Sequence, residues 1–171
     1  SVEVRHGGFV LPVQPGEQVR FVRAMNLFRQ YRRDRVLDAL RTMGAALGEG
    51  GLLVDGSTDK HGGQLVGRVH RRRGGALQPV GLLFHTRFER GFAPIMFVDR
   101  LPRDLRVGRW ATEAVQQGID RWQGAWAEAR SAMSGGPESA FEVCATELHA
   151  HIPGFYADPW MASNGYLFWS F

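Results

Sequence analysis

Apolar and polar residues alternate over Val2-Glu3-Val4-Arg5-His6, the period of a short strand, and Gly7-Gly8 closes the run. Phe9-Val10-Leu11-Pro12 follows, then a turn at Gln14-Pro15-Gly16-Glu17. From Val19 to Met25 apolar positions interleave with Arg20 and Arg23, which predicts a strand with one face or end accessible. Asp34 has the chemistry of an N-cap, and Val36, Leu37, Leu40, Met43 and Leu47 recur after it at helical spacing. Gly48, Gly50 and Gly51 are expected to terminate that helix. Leu52-Leu53-Val54 is wholly apolar, the pattern of a strand buried on both faces of a parallel sheet. Strand, helix and strand at this spacing make one right-handed crossover, with 19–25 and 52–54 as parallel neighbours.

Two further strand-like runs, Gln64 to His70 and Val80 to Phe88, connect through Arg73-Gly74-Gly75. So short a link forces them antiparallel. From Leu105 to Met133 the residues Val107, Ala111, Val115, Ile119, Trp122, Trp126 and Met133 mark one face of a long helix, with Gly118 and Gly124 weakening it. Ser134-Gly135-Gly136-Pro137 ends it, and a second helix is expected from Glu138 to about Ala150. The tail from Ile152 to Phe171 is aromatic and broken by Pro153, Gly154, Pro159 and Gly165. Side chains as large as Trp160, Tyr166, Phe168 and Trp169 are costly to leave in water, so they are expected to be buried, over the sheet or against a second subunit.

Composition narrows the class. The 171 residues have the size of one domain, and 44% hydrophobic with 22% charged residues sits near globular averages. No apolar run approaches the roughly 20 residues of a spanning helix. Ser1 to Gly8 lacks the apolar stretch of a secretory signal, so a cytoplasmic location is the default expectation. Cys144 is alone and has no disulfide partner within the chain. The net charge of +4 comes largely from dispersed arginines. Their densest runs, Arg32-Arg33-Asp34-Arg35 and Arg71-Arg72-Arg73, read as solvated segments, and no nucleic-acid motif accompanies them.

One ordered set of motifs adds to this reading: Gly7-Gly8-Phe9-Val10-Leu11-Pro12, then Pro15-Gly16-Glu17, then Phe21-Val22-Arg23-Ala24-Met25-Asn26-Leu27, a helix, Gly50-Gly51 and Leu52-Leu53-Val54. In order and spacing this resembles class I S-adenosylmethionine-dependent methyltransferases, from the adenine-side loop after the third strand to the Gly-Gly that opens the fifth. The resemblance covers about residues 2 to 90. It implies an α/β fold: a partial Rossmann-like methyltransferase sheet, missing the first strands, in residues 1–92, with a helical, aromatic-rich C-terminal extension packed on it in 93–171. It implies S-adenosyl-L-methionine as cofactor and a small-molecule methyl acceptor. Gly8, Phe9, Arg23, Ala24, Met25 and Asn26 would flank the cofactor, with Phe9 either stacking on adenine or serving as a core aromatic at a strand end, Arg23 alternatively a surface charge, and Asn26 presenting its amide or tying down its loop.

Two departures from the family bear on activity. Gly8-Phe9 stands where many relatives carry an acidic residue for the adenine amino group. No first strand with its Gly-x-Gly turn and no ribose-binding acid is found, so weak or no cofactor binding, and an inactive isolated chain, are expected, with a missing N-terminal segment as one explanation. The chemistry would be direct displacement at the methyl carbon, for which the protein supplies mainly alignment. His61, His85, His149 and His151 offer bases without a motif to choose among them. Glu147-Leu148-His149-Ala150-His151 is the nearest metal-like cluster, but a helix there sends positions 149 and 151 to different faces, so no metal is expected. The competing reading is a non-catalytic, self-associating or protein-interaction domain built on the aromatic tail. A third is single-stranded nucleic-acid binding by arginines and aromatics, which salt dependence would reveal.

Overall fold

A computed structural model describes residues 3–89, 91–108 and 110–170. It is a mixed α/β structure around a six-stranded, mostly antiparallel open sheet. In chain order the main elements are β1 (Val19–Met25), α1 (Arg33–Ala45), β2 (Leu47–Thr58), β3 (Gln64–Arg73) and β4 (Ala76–Thr86). Two 3-10 turns (Pro94–Arg100 and Arg103–Leu105) lead to a small hairpin of β5 (Arg106–Val107) and β6 (Trp110–Ala111). The chain ends with α2 (Glu113–Ala132), α3 (Pro137–His151), β7 (Phe155–Tyr156), α4 (Pro159–Ser163) and β8 (Tyr166–Trp169). Strand order in the large sheet is β1-β2-β3-β4-β8-β7.

β1 and β2 are neighbours joined by α1, as the strand-helix-strand pattern predicts. A methyl group on Gly48 would face the Val19 carbonyl and one on Gly51 the Arg20 carbonyl, so the two strands advance together, in the sense of a parallel pair. β2, β3 and β4 then follow as a meander, because their connections are too short for anything but antiparallel pairing. Gly74 and Gly75, with φ of 58° and 79°, form the two-residue reversal between β3 and β4. Both positions need the left-handed region that a tight hairpin turn demands. β8 runs antiparallel beside β4, with Leu82 opposite Trp169 and Phe84 opposite Leu167, and β7 pairs with β8.

Several local expectations change. Val2 lies outside the described residues, and Glu3 to His6 form no strand; Arg5 instead grips Glu3 at 2.7 Å and Glu17 at 2.6 Å, and donates to the Pro12 carbonyl. Arg32 rather than Asp34 is the N-cap of α1, and Asp34 sits in the first turn, where a carboxylate still suits the helix dipole. The glycines expected to stop α1 belong to β2; the helix ends at Ala45 and passes into the strand within two residues. The long helix expected from Leu105 begins only at Glu113, because Gly108 (φ 61°) reverses the chain into the β5–β6 hairpin. Arg109 lies outside the described residues. Val107, assigned to the helix stripe, is 67% exposed in that hairpin. The C-terminal extension is helical only in part, since its last residues return to the sheet as β7 and β8.

The chain divides into two compact units. One comprises the stretch up to Asp55 with Val69–Val80. Its core is Ala24, Met43, Leu47 and Leu53, with Phe9, Leu11, Leu40 and Leu77 packed around them. α1 lies close enough that a methyl group on Gly44 would sit 2.4 Å from Leu77, and the Gly44 carbonyl accepts from Arg72. The His70 imidazole meets the Asp55 carboxylate at 2.7 Å inside this unit.

The other unit comprises Gly56–Arg68 and the stretch from Gly81 onward. Trp122 is fully buried among Phe84, Phe97 and Phe141, with ring centroids 5.1, 5.4 and 6.2 Å away. The buried stripe of α2 is Val115, Gly118, Ile119, Trp122 and Ala129. Gly118 has a direct reason to be glycine: a methyl group there would lie 2.3 Å from the Trp169 ring. Trp169 in turn stacks on Phe155 at 5.4 Å. The tail expectation therefore holds for Trp169, whereas Tyr166 and Phe168 are half-buried and Trp160 is 65% exposed; Phe171 lies outside the described residues. Among the described residues no helix is long and apolar enough to cross a membrane.

Candidate functional site

The residues singled out from sequence gather around the end of β1. Along this strand Ala24 points into the core while Arg23 is exposed and Met25 half-buried. Asn26 follows with φ of 59°, a left-handed conformation that asparagine tolerates better than most residues, and it turns the backbone out of the strand. The next residues, Leu27 and Phe28, pack on the cluster that holds Ala24. Phe9 joins the same cluster from the N-terminal loop and contacts Phe28 at 6.0 Å and Tyr31, edge-on, at 5.4 Å. Gly8 beside it is exposed and open on its side-chain side. Phe9 and Ala24 thus share one cluster although the turn at Gly16 intervenes, while Arg23 and Asn26 face solvent beside it. Phe9 is held by its neighbours as well as by the strand, so its ring is oriented before any ligand arrives.

The glycine pairs weighed as cofactor turns fall elsewhere. Gly48 to Gly51 lie within β2, and Gly62-Gly63 lie in the turn from β2 to β3, so neither pair opens a helix.

A second place with chemical character was not legible beforehand. The β2–β3 turn and the segment after β4 enclose a cleft of about 360 Å³ in the second unit, lined by Asp59, Lys60, Gly63, Gln64, Glu89 and Arg100, with Phe88, Met96 and His61 also on its wall. Asp59 builds the turn: its Oδ1 accepts from the Gly63 N–H at 2.7 Å and the Gln64 N–H at 3.3 Å. Burial pushes its carboxyl up, but those two donors, with the charges of Arg100 and His61, outweigh burial and hold it below its ordinary value. Asp59 is therefore a carboxylate at neutral pH. The Arg87 N–H donates to the Gly63 carbonyl at 2.8 Å, fixing the turn against the chain leaving β4. Arg100 donates to the Met96 carbonyl at 2.9 Å. Gln64 is 5% exposed, yet among the described residues its Oε1 meets no donor, and its amide nitrogen reaches the Met96 sulfur at 3.7 Å.

Sequence reasoning missed this cleft because its walls come from residues 59–64 and 86–100, joined only when the β2–β3–β4 meander forms. The one local signal was Asp59 ahead of Gly62-Gly63, the pattern of a side-chain-capped turn.

The histidines do not converge. His61 lines the cleft. His85 stacks on Tyr166 at 4.2 Å, and burial, helped by Arg87, holds its imidazole below the ordinary value. His149 lies within reach of the Phe155 carbonyl and His151 of Glu147, one turn earlier on α3. The segment is helical, and among the described residues no group of three or more His, Cys, Asp or Glu could hold a metal ion. Cys144 is buried in the aromatic core, where desolvation pushes its thiol up to about 12, far from a nucleophile's range.

Compared with known proteins, the chain matches no family model, no curated protein and no solved structure.

Proposed function

We propose that the chain is an S-adenosylmethionine-dependent methyltransferase, or the C-terminal part of a Rossmann-like one, that transfers a methyl group to a small molecule. Gly8, Phe9, Arg23, Ala24, Met25 and Asn26 are then the residues beside the cofactor. The observation that carries this reading is the meeting of Phe9 with the end of β1 in one cluster, next to a strand reached through a helix. Ligands of open α/β sheets lie outside the carboxyl ends of their strands. Asn26 turns the chain at that end, Met25 before it is half-buried, and Gly8 is exposed. Glycine at position 8 lets a flat ring approach the backbone, and Phe9 supplies an aromatic surface for it.

Little else is demanded of the protein in such a reaction. The methyl carbon carries its own leaving group, so aligned reactants in a water-poor site suffice, with a base needed only where the acceptor must lose a proton. The 171 residues supply one side of the cofactor. Gly48-Glu49-Gly50 lies inside a strand and so opens no helix that could cradle the methionyl end.

Calorimetric titration with S-adenosylhomocysteine tests the proposal on any longer product that the reading frame encodes. Micromolar binding is expected, weakened at least about tenfold by Phe9→Ala, since a base-aromatic stack carries about 1–3 kcal/mol. No binding at about 1 mM ligand, a concentration that detects association of only −4 kcal/mol, would end the methyltransferase reading.

A second reading is favoured by one observation. Trp160 is 65% exposed, stacks on Tyr166 at 5.7 Å, and lies in the same C-terminal segment as the exposed Tyr156, which makes an aromatic patch suited to self-association. Sedimentation of the wild type and Trp160→Ser separates the two readings: a dimer lost in the variant supports the interaction domain, and a monomer in both removes that reading.

A further inference from the structure

We infer that the cleft between the β2–β3 turn and the segment after β4 binds a small zwitterion of amino-acid type, its ammonium in front of Gly63 and its carboxylate toward Arg100 and Lys60. The cleft lies within the second unit and shares no residue with those proposed to flank a cofactor.

The size comes first. A cleft of about 360 Å³ lies at the lower end of the range for small-molecule sites and suits a ligand of amino-acid size. Charge comes second. Its wall carries two carboxylates, Asp59 and Glu89, and two fixed cations, Lys60 and Arg100. Glu89 is exposed and also pairs with Arg87 at 3.1 Å, and the charge of Arg100 acts on Asp59, so the wall presents both signs of charge close together. A ligand bearing both charges satisfies each.

Geometry then separates the two ends. A methyl group placed on Gly63 would sit 3.4 Å from Asp59 Oδ2 and 3.8 Å from Glu89 Oε2, so the space in front of this glycine is bordered by two carboxylate oxygens. Asp59 holds the turn through Oδ1, and its Oδ2 is the atom that borders the space at Gly63. Arg100 spends one N–H on the Met96 carbonyl and retains the others of its fork. Gln64 also lines the cleft, and among the described residues its enclosed Oε1 has no donor. Buried acceptors are rarely left so, and an N–H of the ligand would complete it. Phe88 and Met96 give the ligand's side chain an apolar wall.

Three isosteric probes test the inference by calorimetry or chemical-shift titration on the intact chain. L-Norleucine carries both charges, hexanoate lacks the ammonium, and pentylamine lacks the carboxylate. Norleucine is expected to bind at least about tenfold tighter than either, the scale of one lost charge-assisted hydrogen bond. Gly63→Ala meets only side-chain ends at ordinary contact distance, so the variant keeps its fold, which circular dichroism checks. It and Glu89→Gln should weaken norleucine about tenfold or more while leaving hexanoate unchanged. Arg100→Met should weaken norleucine and hexanoate but not pentylamine. Equal binding of hexanoate or pentylamine, unchanged norleucine binding in folded Gly63→Ala, or no binding of norleucine at about 10 mM would each overturn it.

Discussion

The two units use the same device at different scales. In each, a helix crosses so closely that one of its glycines rests on a strand side chain: Gly44 on Leu77 in the first, Gly118 on Trp169 in the second. Among the described residues, the first unit encloses a cluster of four buried residues behind that contact, whereas the second encloses twenty-one, several of them aromatic. Buried apolar area is the main favourable term in folding, so the second unit is the stable platform and the first the more easily opened part. The residues proposed to flank a cofactor lie in the first, and the cleft proposed to take a zwitterion in the second. A ligand ordering the β1 end would therefore act on the less stable region, where loops and binding residues commonly reside.

The largest effect should come from Trp122→Ala, which removes the ring at the centre of the aromatic core; a loss of about 3–5 kcal/mol is expected in urea unfolding. A loss under about 1 kcal/mol would mean the aromatic cluster is not the stability centre. The paired glycines sharpen the comparison. Gly118→Ala drives a methyl group into the rigid Trp169 indole and should destabilise by about 1–3 kcal/mol. Gly44→Ala meets Leu77 at Cγ and Cδ1, an aliphatic side chain rather than a rigid ring, and alanine favours the helix by about 1 kcal/mol, so the net loss should be smaller than at Gly118. Equal losses at both sites would show that the first unit is packed as rigidly as the second.

A smaller effect is expected at the N-terminal loop. The Arg5 guanidinium, bonded to Glu17, and the Gln14 N–H hold the Glu17 carboxyl down to about 2. A depressed folded value contributes stability above the ordinary value of 4.5, and that contribution fades as pH falls through about 2. The pair is exposed, so salt should weaken it. NMR titration of Glu17 in low and high salt checks both; a midpoint near 4.5 in low salt would show that the loop is not held by Arg5.

Period and turn chemistry made much of the fold legible. Alternation over 19–25, helical spacing after Asp34 and the Gly74-Gly75 reversal each correspond to an observed element. What sequence missed depended on tertiary partners. The glycines after α1 look like a helix stop but serve β2, because the strand begins within two residues of the helix end. The apolar residues from Leu105 fit a helix by period, yet Gly108 bends them into a hairpin. β8 is too short and too aromatic to declare itself a strand until β4 offers it an edge. At the candidate site, strand 19–25 with Arg23 to Asn26 was readable, while the cleft residues were not, since residues 59–64 and 86–100 carry no shared motif.

The central claim is that Gly8, Phe9 and the Arg23–Asn26 strand end form the cofactor side of a methyltransferase. It is tested most directly by amide chemical-shift mapping of the 171 residues with S-adenosylhomocysteine. Weak binding is predicted, near or above about 1 mM, with shifts concentrated at residues 8, 9 and 23–28. Shifts confined to other residues, or none at the β1 end at about 10 mM ligand, would contradict it.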